Sequence, residues 1–425
     1  MSETQPLKVL VSAFWFSPVQ GSECAVGWDY VRAIAARHKV WVITRTVERE
    51  ETELYLRQHP ELLPNVTLHY IPMKDRTFYF PLREVVYALI YKGWQKQALA
   101  YARRLDAEID FDLIHQLNGI GFREPGYLWK IGKPFVWGPV GGLQYFPLRL
   151  MNAVPPARRP FFVFKNLTTI LAIYMGSRSR RAAQAAAAIF AASTNVAEKI
   201  RTAWGRNASV LAEVSAPELE PRLPTRRNPG EPLQIVWCGS CELRKALNIV
   251  LLALGRLRNS EIRWRLTAVG GGPLLEEWKA LAGSEGILQH CDFLGKMPRK
   301  DVQAVMASGH CFVQPSLYDA TTTVVAEALA HGLPVICLDH FGFRDAVLEE
   351  CGIRIRPGSL DQVVDDFAEA IESLALDEDR RYRMGAAAQA AATRLTLHEK
   401  ERVVDEIYQK ALAYKGGGTA GAGIR

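Results

Sequence analysis

The chain has 425 residues, of which 48% are hydrophobic and 23% are charged, and its formal net charge at pH 7 is +7. These proportions are ordinary for a globular protein in water, and the length favours two domains. No apolar run reaches the roughly 18 uncharged residues that a transmembrane helix needs, so the composition excludes a predicted membrane span.

The first residues of the chain and its cysteines indicate the expected cellular compartment. The segment MSETQPLKVLVSAF has no basic region followed by a signal-like apolar region, so a cytoplasmic location is expected. Seven scattered cysteines fit a reducing compartment better than a disulfide scaffold. Two of them form the CGSC at 238–241, and we interpret that pair as packing residues because Cys238 ends an apolar segment.

Strand-like and helix-like segments alternate through the first half of the chain. Such alternation predicts a parallel sheet with helices on both faces. The predicted strands are 7–14, 39–45, 66–71, 112–117, 134–140, 187–193 and 208–213, and the predicted helices are 23–38, 82–105 and 195–204.

The same alternation restarts after residues 214–232, a linker by composition with five prolines. We therefore predict an α/β protein with two Rossmann-like domains facing a central cleft. The second half has predicted strands 233–239, 263–270, 311–316 and 334–339, and predicted helices 244–258, 273–282 and 322–331. The predicted units are an N-terminal domain 1–213, a C-terminal domain 233–397, a helix 398–414 that crosses back to the first domain, and a disordered tail 415–425.

Loops after parallel strands are the expected ligand sites. Gly21, in SPVQGSE, lets the backbone approach an anion at a helix start, although a simple tight turn explains it equally well. Arg244 and Lys245 stand at a predicted helix start, where cations are unfavourable unless an anion lies between them. Exposed solubilising charges are the alternative explanation.

The stretch PSLYDATTTVVAEALAHGLPVI (315–336) places one carboxylate, Glu327, in an apolar run. A buried carboxylate needs partners, so Glu327 either faces a cleft or meets a structural arginine or backbone amides. Asp319 stands eight positions earlier, in the preceding loop, and Thr322 or Thr323 can cap the helix between them. Two acids at this spacing can bind the hydroxyls of one polar ligand.

Two further motifs bear on metal binding and catalysis. The DFD at 110–112 precedes its strand, so its carboxylates point away from the ligand edge, and no metal site is predicted. His115 lies toward the end of a predicted strand, where it is either a catalytic candidate or a satisfied core histidine.

The order of these motifs resembles glycosyltransferase family 4, whose members are retaining, nucleotide-sugar-dependent enzymes of the GT-B fold. The resemblance runs over residues 7–412 and rests on GSE after the first strand, the spacing from Gly239 to Lys245, VGGGP, and the stretch from 315. QGSECAVGWDYVRAIAARHKVWVITR and WGPVGG resemble a branch that acts in surface polysaccharide and glycolipid assembly. The first domain is then the acceptor domain.

The resemblance assigns roles to the candidate residues. It implies that Glu327 binds the ribose hydroxyls, Asp319 lies near the transferred sugar, Lys245 with Arg244 holds the diphosphate, and Gly21 approaches the phosphates. His115 would take a donor-sugar role. Further substrate-binding candidates are Gly239, Ser240, Gly271, Thr321, Thr322 and Thr323.

Four departures from the family pattern bear on these roles. Ser240 replaces the usual arginine after the strand glycine, and Asp319 replaces a glutamate in the E-x7-E signature. ATT (320–322) replaces a Gly-Phe-Gly-like segment, and the H-x-H form is reduced to His115 with Leu117.

The resemblance also implies the ligands. The donor would be a nucleotide-diphosphate sugar, with UDP or GDP as the nucleotide, and neither cofactor nor metal would be required. The acceptor would be a glycan or a polyprenyl- or lipid-linked sugar. Basic, aromatic-rich regions at 74–104 and 158–181 favour peripheral association with an anionic inner membrane face, or else form a core with a solvated basic face.

Other functions remain as alternatives. A nucleotide-sugar epimerase on the same scaffold would act without an acceptor, and the departures at Ser240 and Asp319 leave open a non-catalytic nucleotide-sugar or membrane-binding protein. The charge attracts anions generally, yet no nucleic-acid recognition motif is present, so no nucleic-acid partner is expected.

Overall fold

The structure is a computed structural model that describes residues 5–73, 83–117, 121–220, 224–319 and 323–414. The predicted disordered tail, 415–425, lies outside these described residues. The following subsections concern the described part of the chain.

The first sheet consists of seven parallel strands in the order β3-β2-β1-β4-β5-β6-β7. The order reverses between β1 and β4, which both continue into loops at the same edge of the sheet. The strands are β1 (Lys8–Ser12), β2 (Lys39–Arg45), β3 (Val66–Ile71), β4 (Leu113–Gln116), β5 (Phe135–Val140), β6 (Ala188–Ala191) and β7 (Ser209–Val210).

The second sheet consists of six parallel strands in the order β10-β9-β8-β11-β12-β13, which repeats the doubly wound arrangement of the first. Two of its strands, β10 and β13, lie in segments for which the sequence predicted none. The strands are β8 (Leu233–Cys238), β9 (Trp264–Val269), β10 (Cys291–Gly295), β11 (Cys311–Gln314), β12 (Val335–Leu338) and β13 (Gly352–Ile355). The predicted fold class, α/β with two Rossmann-like domains, is confirmed.

Helices cover both faces of each sheet, as the parallel arrangement requires. They are α1 (Glu23–Ala35), α2 (Arg49–Gln58), α3 (Arg83–Ile109), α4 (Arg159–Met175), α5 (Ser177–Ala185), α6 (Thr194–Trp204), α7 (Leu247–Arg256), α8 (Leu275–Ser284), α9 (Arg299–Ser308), α10 (Thr323–Ala330), α11 (Phe343–Ala346), α12 (Leu360–Leu376), α13 (Glu378–Ala392) and α14 (Leu397–Ala413). None of the described helices is long and apolar enough to cross a bilayer.

The loops that follow the strands of the two sheets face one another. The backbone N–H of Thr194, which lies after β6, donates to the carboxylate of Asp345, after β12, at 2.6 Å. The ammonium of Lys165 lies 3.8 Å from the ring centroid of Tyr318, which follows β11. The carboxyl-terminal edges of the two sheets therefore border one cleft.

Part of the predicted N-terminal domain packs into the core of the second. Phe146, Leu150 and Phe162 are buried in one cluster with Leu247 and Phe367, which belong to the helices of the second sheet. The predicted boundaries 1–213 and 233–397 follow the sheets, but this segment between β5 and β6 ties the two bodies together.

The last helix returns to the first sheet. Tyr408 of α14 is buried beside α1 and β1, and Lys400 donates from Nζ to the carbonyls of Ala212 and Val214 at 3.1 and 3.3 Å. Burial lowers the pKa of Lys400 to about 8. The helix therefore fixes the point at which the chain leaves the first domain.

His115 holds α14 against the sheet. Its Nε2 donates to the Gly138 carbonyl at 2.7 Å, since that carbonyl can only accept, and this leaves Nδ1 to accept from the Tyr408 hydroxyl at 2.7 Å. The ring is fully buried, and desolvation lowers its pKa to about 4 although the Gly138 bond opposes the shift. The neutral ring is therefore part of the folded structure.

We expect His115 to make the protein sensitive to acid. Its pKa is about 4 when folded and about 6.5 when unfolded, so the unfolded state binds the extra proton and stability falls as pH drops from 6.5 toward 4. The difference corresponds to about 3 kcal/mol. In urea titrations, His115→Gln should reduce this pH dependence, whereas His398→Gln, at an exposed position on α14, should not. An equal acid slope in both variants would contradict this account.

Candidate active site

The carboxyl ends of the neighbouring strands β8 and β11 form the switch point of the second sheet, where its strand order reverses. The loop after β8 contains Gly239, Ser240, Arg244 and Lys245, and the loop after β11 contains Asp319. The backbone N–H of Leu317 donates to the Arg244 carbonyl at 2.8 Å, which joins the two loops directly.

Asp319 lies between Arg244 and Lys245, the two residues predicted to bind the diphosphate. Arg244 donates from one Nη to both carboxylate oxygens at 3.2 Å, and Lys245 donates from Nζ to Oδ2. Arg244 also donates from Nε to Glu242 at 3.1 Å. Two cations and two carboxylates thus compensate one another, and the structure brings together three residues that the sequence singled out.

Lys245 is held in a partly dehydrated position. Only 7% of the residue is exposed, and burial lowers its pKa, while the charge of Asp319 opposes that change. The predicted helix start at 244 is wrong by three residues, because α7 begins at Leu247. Ala246, with φ of 48°, separates that helix from a short 3-10 turn at Leu243–Lys245.

Glu327 lies on α10 and is 5% exposed. Arg299 donates to its Oε1 from Nε at 3.2 Å and from Nη2 at 2.9 Å, so its partner is an arginine, as one of the alternatives proposed. Burial raises the pKa of Glu327, and Arg299 acts in the opposite direction. The Arg299 side chain is 71% exposed, so the buried carboxylate of Glu327 is paired with a cation that faces solvent.

The charges of Glu327 and Lys245 both act on the thiol of Cys238. The thiol of Cys238, at the end of β8, has its pKa raised to about 12, first by burial and then by the charge of Glu327, while Lys245 lowers it. Both charged groups therefore lie within electrostatic range of one sulfur atom. No disulfide joins Cys238 and Cys241; Cys241 is buried and Cys238 is half-buried.

Glycines allow the loops after β8 and β9 to interlock. A Cβ on Gly270, whose φ is +138°, would lie 1.7 Å from the Gly239 carbonyl oxygen. The N–H of Cys241 donates to the Gly271 carbonyl at 3.0 Å, and a Cβ on Gly272 would lie 2.7 Å from the Cys241 carbonyl oxygen. Gly239 and Gly271 therefore shape the site through backbone contacts.

The sequence analysis missed two cations beside this site. Lys296 and Arg299 follow β10, and the methylene chain of Lys296 lies over Gly271. Because no strand was predicted at 291–295, the loop after it was not counted among the ligand loops. The short segment CDFLG followed by Pro298 was the available signal.

The remaining candidates lie elsewhere or at the edge of the site. Gly21 is exposed before α1, with open space around it, and Thr323 is the first residue of α10. Thr321 and Thr322 lie outside the described residues.

His115 requires a correction as a catalytic candidate. Both of its ring nitrogens are engaged, by Gly138 of the first domain and Tyr408 of α14, so the structure does not bring it to the site around Lys245. Asp110 and Asp112 bind Lys133 and the backbone N–H of Lys8. Across the described ranges, no three His, Cys, Asp or Glu residues are grouped as metal ligands.

Solved structures share this arrangement over nearly the whole chain. Sucrose-phosphate synthase from Thermosynechococcus elongatus is similar with a TM-score of 0.63 and 16% identity, covering 96% of this chain and 99% of that one. Anabaena HepE in complex with UDP gives a TM-score of 0.59 and 15% identity, covering 95% and 99%. The fold is GT-B.

Sequence comparison adds that residues 224–391 match the family model for glycosyl transferases group 1. A GDP-mannose-dependent alpha-(1-6)-phosphatidylinositol monomannoside mannosyltransferase of Mycobacterium tuberculosis is 30% identical over 179 residues, 40% of this chain and 46% of its own length. A D-inositol 3-phosphate glycosyltransferase of Nocardia farcinica is 30% identical over 203 residues, 46% and 44%. The chain thus spans less than half the length of these relatives. Its match to the group 1 family model lies in the second domain.

The interlocked glycines predict a matched pair of variants. Gly270→Ala forces a side chain against the Gly239 carbonyl in a backbone conformation that disfavours it, so the free energy of unfolding should fall by about 2 kcal/mol or more. Gly283→Ala, in α8 with nothing within 4 Å, should leave it unchanged or raise it by up to about 1 kcal/mol. Urea unfolding of both variants is the measurement, and equal stability would refute the close approach.

Proposed function

We propose that this GT-B protein is a retaining glycosyltransferase of family 4 that transfers a sugar from a nucleotide-diphosphate sugar without a metal ion. The observation that carries the proposal is the meeting of Lys245, Arg244 and Asp319 at adjacent strand ends, within the segment that matches group 1. A cationic position at a sheet switch point is where a dinucleotide-like or diphosphate ligand is expected.

The donor occupies the second domain in this proposal. The diphosphate takes its hydrogen bonds from Lys245 and Arg244, which now bind Asp319, and Lys296 adds a third positive charge beside Gly271. Glu327 accepts from the ribose hydroxyls while Arg299 keeps its carboxylate oriented. UDP and GDP are the proposed nucleotides, and the complex of HepE with UDP concerns a protein of the same fold.

The chemistry follows from stabilisation of the leaving group. When the bond from the sugar to the diphosphate breaks, negative charge grows on the phosphate oxygens, and fixed cations in a partly dehydrated cleft stabilise that charge. Lys245 is suited to this role because it is buried and held in place. The acceptor hydroxyl attacks from the same side and gives its proton to the departing phosphate, so no protein base is needed and the anomeric configuration is retained.

The acceptor is proposed to be a surface glycan or a polyprenyl- or lipid-linked sugar. The mannosyltransferase relative is named for a phosphatidylinositol monomannoside, which supports a lipid-borne acceptor without defining it for this chain. The first domain, across the cleft from Lys245, is the proposed acceptor side.

Glu327→Ala should lower kcat/KM for sugar transfer by about 100-fold or more, because the ribose loses its acceptor and Arg299 loses its carboxylate. The control is Glu349→Ala, at a highly exposed position. Labelled UDP- and GDP-sugars are incubated with a bacterial lipid extract, and product is counted. Native turnover in Glu327→Ala would contradict the site assignment, and a changed sugar without acceptor would indicate an epimerase instead.

Metal removal is a separate test. Because Lys245, Arg244 and Lys296 supply the positive charge in this mechanism, treatment with EDTA should leave the transfer rate unchanged. Product analysis by NMR should show the anomeric configuration of the donor. Loss of activity that Mg²⁺ or Mn²⁺ restores would contradict the metal-free mechanism.

A further inference from the structure

Helix α4 exposes a continuous apolar face. Its exposed residues recur every three or four positions and therefore share one side of the helix. Concentrated apolar exposure of this kind marks an interaction surface rather than ordinary scatter. The exposed large apolar side chains of α4 are Phe161, Val163, Phe164, Leu167, Ile170, Leu171, Tyr174 and Met175. We call this set the α4 ridge.

The opposite face of α4 is firmly anchored. The Asn166 side chain accepts from the Phe146 N–H at 2.8 Å and donates to the Phe146 carbonyl at 2.9 Å. Phe162 is buried in the core of the second domain, and the Ile173 carbonyl accepts from the indole of Trp204 at 3.0 Å. The ridge is therefore the outer face of a fixed helix.

Basic residues lie at the C-terminal end of the ridge. A groove at its C-terminal end is lined by Lys92, Arg123 and Arg178, next to Met175. Arg123 donates to the Thr169 hydroxyl at 2.9 Å, which holds its guanidinium alongside the helix. Arg178 pairs with Glu124, but no acidic residue occurs between Glu124 and Glu198 while nine bases do, so this segment has a net positive charge that attracts anions.

We propose that the α4 ridge is a membrane-docking surface: its apolar side chains enter the acyl boundary of an anionic bilayer, and the adjoining basic groove binds lipid phosphates. A bilayer offers both an apolar layer and a plane of negative charge, and a basic amphipathic helix lying along that boundary satisfies both. The composition of 158–181 favours peripheral membrane association, and the proposal assigns that association to one helix, α4.

This docking places the donor site at the bilayer. The inner side of α4 carries Lys165, whose ammonium lies over the ring of Tyr318, the neighbour of Asp319. The docking itself is independent of sugar transfer, whereas its use in reaching a lipid-linked acceptor rests on the proposed function.

Flotation of the full chain with vesicles tests the docking. Phosphatidylcholine vesicles with about a third phosphatidylglycerol should carry the native protein upward, and pure phosphatidylcholine should carry much less. Phe164→Glu with Leu171→Glu should lower the partition coefficient about tenfold or more. Leu376→Glu, at a position 69% exposed on α12, should bind as the native chain does. Lys92→Glu with Arg123→Glu, in the basic groove, should weaken only the anionic binding.

The proposal is overturned if the native protein fails to float with anionic vesicles, or if the ridge variant floats as well as the Leu376 variant. It is also overturned if light scattering without lipid shows a native oligomer that the ridge variant dissolves, because the ridge would then bind a second copy. Circular dichroism and UDP binding in lipid-free buffer establish that each variant is folded. UDP binding is measured without vesicles. Failure of the native protein to bind UDP would therefore count against the proposed function and not against the docking.

Discussion

The carboxylate of Asp319 between Lys245 and Arg244 is the contact on which the candidate site depends. A lysine as buried as Lys245 is unfavourable without a partner, so Asp319 must stay beside it. The loop after β11 is therefore held against the loop after β8, by this ion pair and by the hydrogen bond from Leu317 to Arg244. Because Asp319 already compensates the cations, a diphosphate bound as proposed would replace Asp319 as their partner.

Two segments of the chain cross from one domain to the other and fix the shape of the cleft around Asp319, Lys245 and Arg244. The segment containing Phe146 leaves the first sheet and packs in the core of the second, and α14 returns from the second domain to bury Tyr408 against the first. Lys400 fixes the exit from the first domain with its hydrogen bonds to Ala212 and Val214. Each of the two domains that border the cleft therefore packs a segment onto the other. Helix α4 connects the outer surface of the protein to the loop that contains Asp319.

Much of this could be predicted from the sequence, because parallel strands have continuous apolar runs and their loops have characteristic glycines and charges. The strands 39–45 and 66–71 match their predicted bounds, and the site loops after β8 and β11 were predicted. The short strand β10 was missed since half its residues are polar or small, and Arg299, the partner of Glu327, was missed with it. His115 was misjudged because position on a strand does not reveal that Tyr408, 293 residues away, engages its ring.

The most direct test of the central claim is a crystal structure of the protein with UDP or GDP bound. The account predicts that the β-phosphate oxygens accept hydrogen bonds from Lys245 Nζ and Arg244, that Asp319 turns away from both, and that Glu327 accepts from the ribose hydroxyls. A nucleotide bound with its phosphates away from Lys245, or in the first domain, would contradict it.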